Sequence, residues 1–182
     1  LESGEIKIAL CVIDMIGFGN DEVIASRKLI QESNPDLDYV IIASTHVHSS
    51  PDLMGMWGPS DYSRGVNPDY LKQVLKGIQQ AVNEADASRR PAKFRFAEEK
   101  EKLKSLVGDT RPPLVFDASL KLMQVLDAES GQTLGTLMNW GNHPETLWSQ
   151  NIQLSSDFPD PWRNMVEEGI EVNDSVNIDG VG

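Results

Sequence analysis

Residues 37–52 read LDYVIIASTHVHSSPD and join an apolar strand to a polar loop that carries two of the chain's three histidines. The almost wholly apolar run at 37–44 is typical of a strand in a sheet whose two faces are both covered. His46 and His48 follow that strand directly, and open α/β sheets form their ligand sites at such strand ends. This stretch therefore predicts both the fold class and the place of the functional site.

Elements on both sides of this stretch complete a βαβ unit. Residues 5–14 predict a strand, and Asn20 and Asp21 are candidate N-caps for a helix that runs to about residue 32. After the histidines, residues 45–67 lose periodicity and predict a long loop of the kind that is often functional. Asn67 and Pro68 then supply a cap and a first-turn proline for a strongly amphipathic helix.

The second half of the chain predicts an antiparallel hairpin. Residues 93–96 are a candidate strand, and residues 98–104 are a solvated helix face or a loop. Two strand-like runs at 120–127 and 133–140 are joined by a turn, and a helix is expected at about 161–168. The expected fold class is α/β, with mixed sheet or sheets flanked by helices and the histidine motifs on loops at strand ends.

Composition limits the functional classes. A net charge of −12, from 16 basic and 28 acidic residues, argues against nucleic-acid binding, which needs clustered cations. No apolar run approaches the roughly 18 residues of a membrane span. The single cysteine, Cys11, excludes an internal disulfide and leaves the redox compartment open. Because both ends look cut, we expect residues 1–182 to be one partial domain, a fragment of a larger metallohydrolase catalytic domain.

All three histidines follow predicted strands. His46 and His48 are two residues apart, so an extended backbone would point both imidazoles to one side and turn Val47 away. His143 follows the later strand in a similar Asn-His-Pro setting. Imidazole suits zinc, and a catalytic zinc commonly has three protein ligands and an open position for water. The pattern predicts a zinc site of a hydrolase on His46, His48 and His143; the alternative is three histidines that only make hydrogen bonds.

Three motifs in order resemble the family of neutral/alkaline, non-lysosomal ceramidases. Residues 44–52, STHVHSSPD, resemble the family's Thr-His-Thr-His-Ser-Gly-Pro segment. Residues 139–144, NWGNHP, resemble its Asn-x-x-x-His-Pro stretch, and residues 154–159, LSSDFP, resemble its Ser-Ala-Asp-Phe-Pro-Gly. Asp14 also stands where the family has an aspartate at the end of its first strand. The resemblance extends over about residues 6–168.

The resemblance implies roles for single residues. His46 and His143 would be zinc ligands, together with a Glu and a Tyr further along, and His48 would be catalytic or a third ligand. Arg111, in a Thr-Arg-Pro-Pro segment, is the nearest match to a functional arginine of the family, where it would hold an oxyanion or a substrate carbonyl; an exposed arginine before a Pro-Pro turn is the alternative. Ser50 replaces the family's glycine, so a backbone that only glycine tolerates would be altered there. The further Glu and Tyr and the family's nucleophilic Ser would lie beyond Gly182.

The resulting hypothesis is a zinc-dependent hydrolase that cleaves an N-acyl amide bond of a small-molecule or lipid substrate with metal-activated water. Met56 and Trp57 would then flank the substrate site, or else only pack the loop. The alternatives are an amidohydrolase-like metallohydrolase and a non-catalytic domain with a structural metal or none. The resemblance also suggests a secreted, periplasmic or cell-surface protein of lipid metabolism.

Overall fold

The structure is a computed structural model, and it describes residues 1–172 and 176–179, with side chains described for residues 1–169. The chain divides into two compact units, one formed by Leu1–Arg89 and Pro144–Asp157, the other by Arg90–His143 and Phe158–Gly182. The expectation of a single partial domain stays a prediction.

The first unit contains the predicted βαβ arrangement. Its elements are β1 (Glu2–Ser3), β2 (Ile6–Ile13), α1 (Asn20–Ser33), β3 (Tyr39–Ser44) and α2 (Pro68–Ala87). β2 and β3 pair in parallel, with Ile8 opposite Tyr39 and Ile13 opposite Ser44, and β1 pairs antiparallel to β2. The parallel pairing brings the ends of β2 and β3 to one edge of the sheet, where the histidine loop begins.

The core of the first unit lies between the two helices and one face of this sheet. Its members are fully or nearly fully buried, and they come from both helices and from β3 and the turn before it: Ile30, Leu37, Val40, Ile78 and Val82. The expectation that both sheet faces are covered is wrong for the described residues, because Tyr39 and Ile41 are 52% and 41% exposed. Both helices pack on the same face of the sheet, the one to which β3 contributes Val40 and Ile42.

Helix boundaries in the first unit follow local chemistry. The side chain of Asn67 accepts hydrogen bonds from the backbone N–H groups of Asp69 and Tyr70, which confirms the predicted cap of α2. α1 begins differently from the prediction. Its N-cap is Gly19, which makes no side-chain capping bond, and Asn20 is already helical.

The second unit contains an antiparallel sheet. β4 (Ala92–Glu99), β5 (Leu120–Asp127) and β6 (Thr133–Trp140) pair in that order, and α3 (Pro159–Glu168) and a ribbon of β7 (Gly169–Val172) and β8 (Val176–Asp179) follow. The hairpin prediction is confirmed at both strands. Asp127 closes the turn by accepting hydrogen bonds from the backbone N–H groups of Glu129 and Ser130.

The described residues confirm an α/β fold with small sheets, helices and histidines on loops. The second sheet is an antiparallel meander, so the described part of the chain does not form the parallel eight-fold barrel that the amidohydrolase alternative requires. No helix among the described residues has the length and apolar character needed to cross a membrane.

Candidate functional site

The histidine loop leaves β3 through a left-handed residue. His46 has φ = 66°, a region that residues other than glycine seldom adopt. Two backbone hydrogen bonds fix it: Thr45 N–H donates to the Ile13 carbonyl and His46 N–H donates to the Met15 carbonyl, each at 3.0 Å. Val47 is fully buried. These contacts hold a strained residue at the candidate site, a place where such strain is often functional.

The extended backbone expected through this segment is therefore wrong at His46, but the expected meeting of the two imidazoles occurs. The Nε2 atoms of His46 and His48 lie 3.4 Å apart, and the two rings are nearly perpendicular. The left-handed turn, rather than strand alternation, brings them together.

The tautomer of His46 follows from its backbone partner. Nδ1 of His46 lies 2.6 Å from the carbonyl oxygen of Ile16, which is acceptor only, so Nδ1 carries the proton and donates it. Nε2 is then the nitrogen with the lone pair. A backbone carbonyl that holds the far nitrogen in this way is one of the usual partners of a metal-binding histidine, beside carboxylates and water.

His48 is held by the two residues that follow His143. Its backbone N–H donates to the Pro144 carbonyl at 3.3 Å, and its Nδ1 lies 3.3 Å from a carboxylate oxygen of Glu145. With Nδ1–H facing the carboxylate, Nε2 of His48 also carries a lone pair. Two lone pairs at 3.4 Å repel each other unless a cation or a proton lies between them.

This geometry fits a zinc ion. Two nitrogens bound to a tetrahedral zinc at about 2.0–2.1 Å lie about 3.3–3.4 Å apart, and the observed separation of the Nε2 atoms is 3.4 Å. His143 is bonded directly to Pro144, whose carbonyl accepts the His48 N–H. One ring nitrogen from each of the three histidines lies within 4.8 Å of the other two. The three imidazoles are thus close enough to bind one metal ion.

Polar side chains hold the histidine loop in place through hydrogen bonds. Asp14 accepts hydrogen bonds from Thr45 Oγ1 at 3.1 Å and Ser156 Oγ at 2.9 Å. Ser50 Oγ donates to the Val47 carbonyl and accepts the N–H of Ile16, both at 3.2 Å. The Met15–Ile16 peptide donates its N–H to Ser50 and accepts the His46 backbone N–H at its carbonyl, so Ser50 helps to fix the peptide that holds the backbone of a candidate ligand.

The replacement of glycine by Ser50 does not place a strained residue at position 50. Among the described residues other than glycine, φ is positive at His46, Trp148 and Asp157. Ser50 instead uses its hydroxyl to link the histidine loop to the loop that follows β2. The serine thus has a structural use that the loss of glycine alone does not predict.

The segment after His143 is anchored by Asp157. This carboxylate is 5% exposed and accepts hydrogen bonds from the Thr146 hydroxyl and the Leu147 backbone N–H. Further along, Ser155 N–H donates to the Ser49 carbonyl at 3.0 Å. Residues 144–157 are therefore attached to the histidine loop at both ends, through His48 and through Ser49.

The long loop expected at residues 45–67 is organised by Asp52. Its carboxylate accepts hydrogen bonds from the backbone N–H groups of Met54, Gly55 and Trp57 at 2.8–2.9 Å. Burial raises the pKa of Asp52, but these donors outweigh it, so the net pKa lies below the usual value. A depressed pKa makes the carboxylate stabilising above the ordinary carboxyl range, and that contribution is lost as the pH falls through the lowered pKa.

Met56 and Trp57 are 52% and 58% exposed, so neither fills a core.

Two glycines let this loop close on itself, which gives a prediction. A Cβ added to Gly65 would lie 1.7 Å from the carbonyl oxygen of Trp57, and one on Gly58 would lie 1.7 Å from that of Ser63. Both obstacles are backbone atoms and cannot rotate away. We expect Gly65→Ala to destabilise the protein by about 1–3 kcal/mol in urea unfolding and to shift the amide NMR signals of residues 57–65.

The matched control is Gly77→Ala. Gly77 lies inside α2, is exposed, and has no atom within 4 Å of the added Cβ. Because glycine is a poor helix former, this change should stabilise the protein by about 0.5–1 kcal/mol. Equal effects of the two substitutions would contradict the close backbone approach at Gly65.

Arg111 lies in the second unit. Its side chain is 90% exposed, and its guanidinium lies 3.9 Å from Asp109, which also accepts the backbone N–H of Arg111. This turn places Arg111 on the surface of its own unit. Its catalytic role stays a prediction.

Sequence reasoning missed Glu145 and the Ile16 carbonyl. The sequence offers one signal for Glu145, because it is a carboxylate that directly follows His143 and Pro144. It offers none for Ile16, because every residue has a backbone carbonyl and nothing in the sequence marks this one. Both partners depend on tertiary placement of the loops.

Comparison with known proteins identifies a likeness in fold. No protein-family model and no curated protein matches the chain. Among solved structures, a neutral ceramidase from Pseudomonas aeruginosa matches 91% of this chain with a TM-score of 0.70 and 16% sequence identity. The chain covers 28% of that protein. At this identity the likeness shows a ceramidase-like fold.

Proposed function

We propose that this chain forms part of a zinc-dependent hydrolase that cleaves an N-acyl amide bond of a lipid or small molecule. His46 and His143 would be metal ligands, and His48 would be catalytic or a third ligand. The observation that carries the proposal is the pair of Nε2 atoms 3.4 Å apart, each aimed by a partner on its Nδ1. The fold likeness to a neutral ceramidase supports the amide-hydrolase class.

The donor set fits the metal. Neutral imidazoles suit zinc, and partners that hold Nδ1 set the tautomer that binding through Nε2 requires. When bound, a divalent metal supplies a Lewis acid that lowers the pKa of a water and polarises a carbonyl. Further ligands would come from outside the described residues, as the family resemblance implies.

The residues of this chain would divide the remaining work. His46 and His143 are exposed and His48 is half-buried, so all three have access to solvent or substrate. His48, with Nδ1 held by Glu145, would accept or donate a proton at Nε2. Met56 and Trp57 would offer apolar contact to a substrate near the loop, and Arg111 would hold a substrate carbonyl.

The test uses the protein expressed from its complete gene. We expect about one zinc per chain by elemental analysis, loss of hydrolysis of fluorogenic N-acyl amides after chelator dialysis, and recovery when zinc is restored. A preparation without stoichiometric divalent metal would refute the metal site. Hydrolysis that survives complete metal removal would refute metal dependence, and a metal-loaded protein inactive on a broad amide panel would favour the structural-metal alternative.

A further inference from the structure

We propose that Glu145 is a positioning residue that fixes the tautomer and orientation of His48, an inference that relies on the proposed function for its catalytic meaning. Glu145 lies just past the Asn-x-x-x-His-Pro motif, which ends at Pro144, and no motif assigns it a role. His48 is attached at two points to residues 144 and 145.

The first point of attachment is the backbone. The His48 N–H donates to the Pro144 carbonyl at 3.3 Å, and this bond brings the next residue, Glu145, beside the His48 ring. The second point is the side chain, where a Glu145 carboxylate oxygen lies 3.3 Å from Nδ1. With backbone and ring both fixed, Nε2 can point in few directions.

Glu145 is itself held in place. The next two residues, Thr146 and Leu147, both donate hydrogen bonds to the buried carboxylate of Asp157. The side chains of His48 and Glu145 are only 26% and 29% exposed, so water competes less for their contact than at an open surface. The carboxylate is therefore presented by an anchored backbone.

The chemistry of the pair sets the tautomer. A carboxylate can only accept, so Nδ1 of His48 must carry the proton, and Nε2 is left to face His46 Nε2 at 3.4 Å. The opposite tautomer would turn a lone pair toward the negative carboxylate. Glu145 thus acts on His48 as the Ile16 carbonyl acts on His46.

The direct test reads the tautomer in metal-free protein. Long-range proton–nitrogen NMR distinguishes Nδ1–H from Nε2–H imidazole, and the three histidine signals can be assigned with His46→Ala and His143→Ala. At a pH of about 8–9, where imidazoles are neutral, we expect Nδ1–H at His48 in the wild type. Glu145→Gln, whose amide oxygen can still accept, should retain it; Glu145→Ala should change to the Nε2–H form common in water.

The control is Glu32→Ala, which removes an exposed carboxylate on α1 and should leave the His48 signals unchanged. An unchanged tautomer in Glu145→Ala would overturn the proposal, as would a Gln variant that behaves like the Ala variant. Backbone amide spectra of each variant show whether it is folded. If Glu145→Ala does not fold, Glu145→Lys gives the same readout, because an ammonium can only donate: His48 should change to the Nε2–H form, and a retained Nδ1–H would overturn the proposal.

A second readout links the pair to turnover. Removing a partner that orients a functional histidine typically costs about 10–100-fold in metal affinity or activity, so we expect a loss of that size in Glu145→Ala and a smaller one in Glu145→Gln. The tautomer of His48 is measured without metal, so the experiment can refute the role of Glu145 and the proposed zinc-dependent hydrolysis independently of each other. A protein without zinc or amidase activity in which Glu145→Ala still shifts the tautomer would refute the proposed function and leave the role of Glu145 intact.

Discussion

Substituting His46 or His143 by alanine is expected to abolish stoichiometric zinc binding in the complete protein. Each change removes an imidazole from a cluster whose ligand nitrogens lie within 4.8 Å of one another. Loss of an outer partner alone costs about 10–100-fold in metal affinity, and loss of a ligand should cost more than about 100-fold. Competition with a chromophoric zinc chelator measures the affinity, and elemental analysis measures the stoichiometry.

The two ligand substitutions should differ from His48→Ala. If His48 acts on the proton rather than on the metal, His48→Ala should retain zinc but lose hydrolysis, whereas His46→Ala and His143→Ala should lose both. An exposed turn residue of the second unit, in Gln132→Ala, serves as the neutral control. Zinc that stays bound at full affinity in both His46→Ala and His143→Ala would eliminate these residues as ligands.

Cobalt substitution adds a spectroscopic measure. Cobalt(II) accepts the same imidazole ligands as zinc and gives absorption bands that report its coordination. His46→Ala should remove or shift those bands even in a preparation that has no measurable activity. The measurement separates a failure to bind metal from a failure to turn over substrate.

Much of the fold was predictable because its signals are local. The cap at Asn67, the apolar face of α2 and the two hairpin strands depend on residues close in sequence, and the structure has them where the pattern predicts. The start of α1 was missed because Gly19 caps it with no side-chain bond. The uncovered face of β3 was missed because an apolar run does not tell which neighbours will pack on it.

The candidate site was predictable in its residues and not in its geometry. Three histidines after strands predict a cluster, and the structure brings their nitrogens together. The left-handed backbone of His46 could not be read from the sequence, since no glycine or asparagine marks it. The Nδ1 partner of His46 is a carbonyl 30 residues away, and that of His48 is a carboxylate 97 residues away; both contacts exist only once the loops are packed.

Replacing Ile30 by alanine is expected to cost more folding free energy than Gly65→Ala or the histidine substitutions. Ile30 is completely buried on α1, and it packs with residues of β3 and α2, including Val40 and Ile78. Truncation of a buried isoleucine to alanine typically costs about 2–5 kcal/mol, because transfer energy is lost and a cavity remains. Urea unfolding followed by far-UV circular dichroism measures the change.

Ile24 offers a control of the same residue type on the same helix. It is 40% exposed, and Ile24→Ala should therefore stay within about 0.5 kcal/mol of the wild type. Similar losses for the two substitutions would show that α1 does not pack as described.

The same measurement tests whether the histidine loop belongs to the cooperative fold of the first unit. A metal that binds only the folded chain adds about 2.7 kcal/mol of stability when its concentration is 100 times the dissociation constant. Ile30→Ala removes core contacts but no ligand, so its stability should rise by the same increment when zinc is added. His46→Ala should instead keep its core and lose the increment. An increment that survives His46→Ala would place the metal elsewhere. An increment that disappears in Ile30→Ala would show that the histidine loop loses its metal site when the packing of β3 against α1 is disturbed.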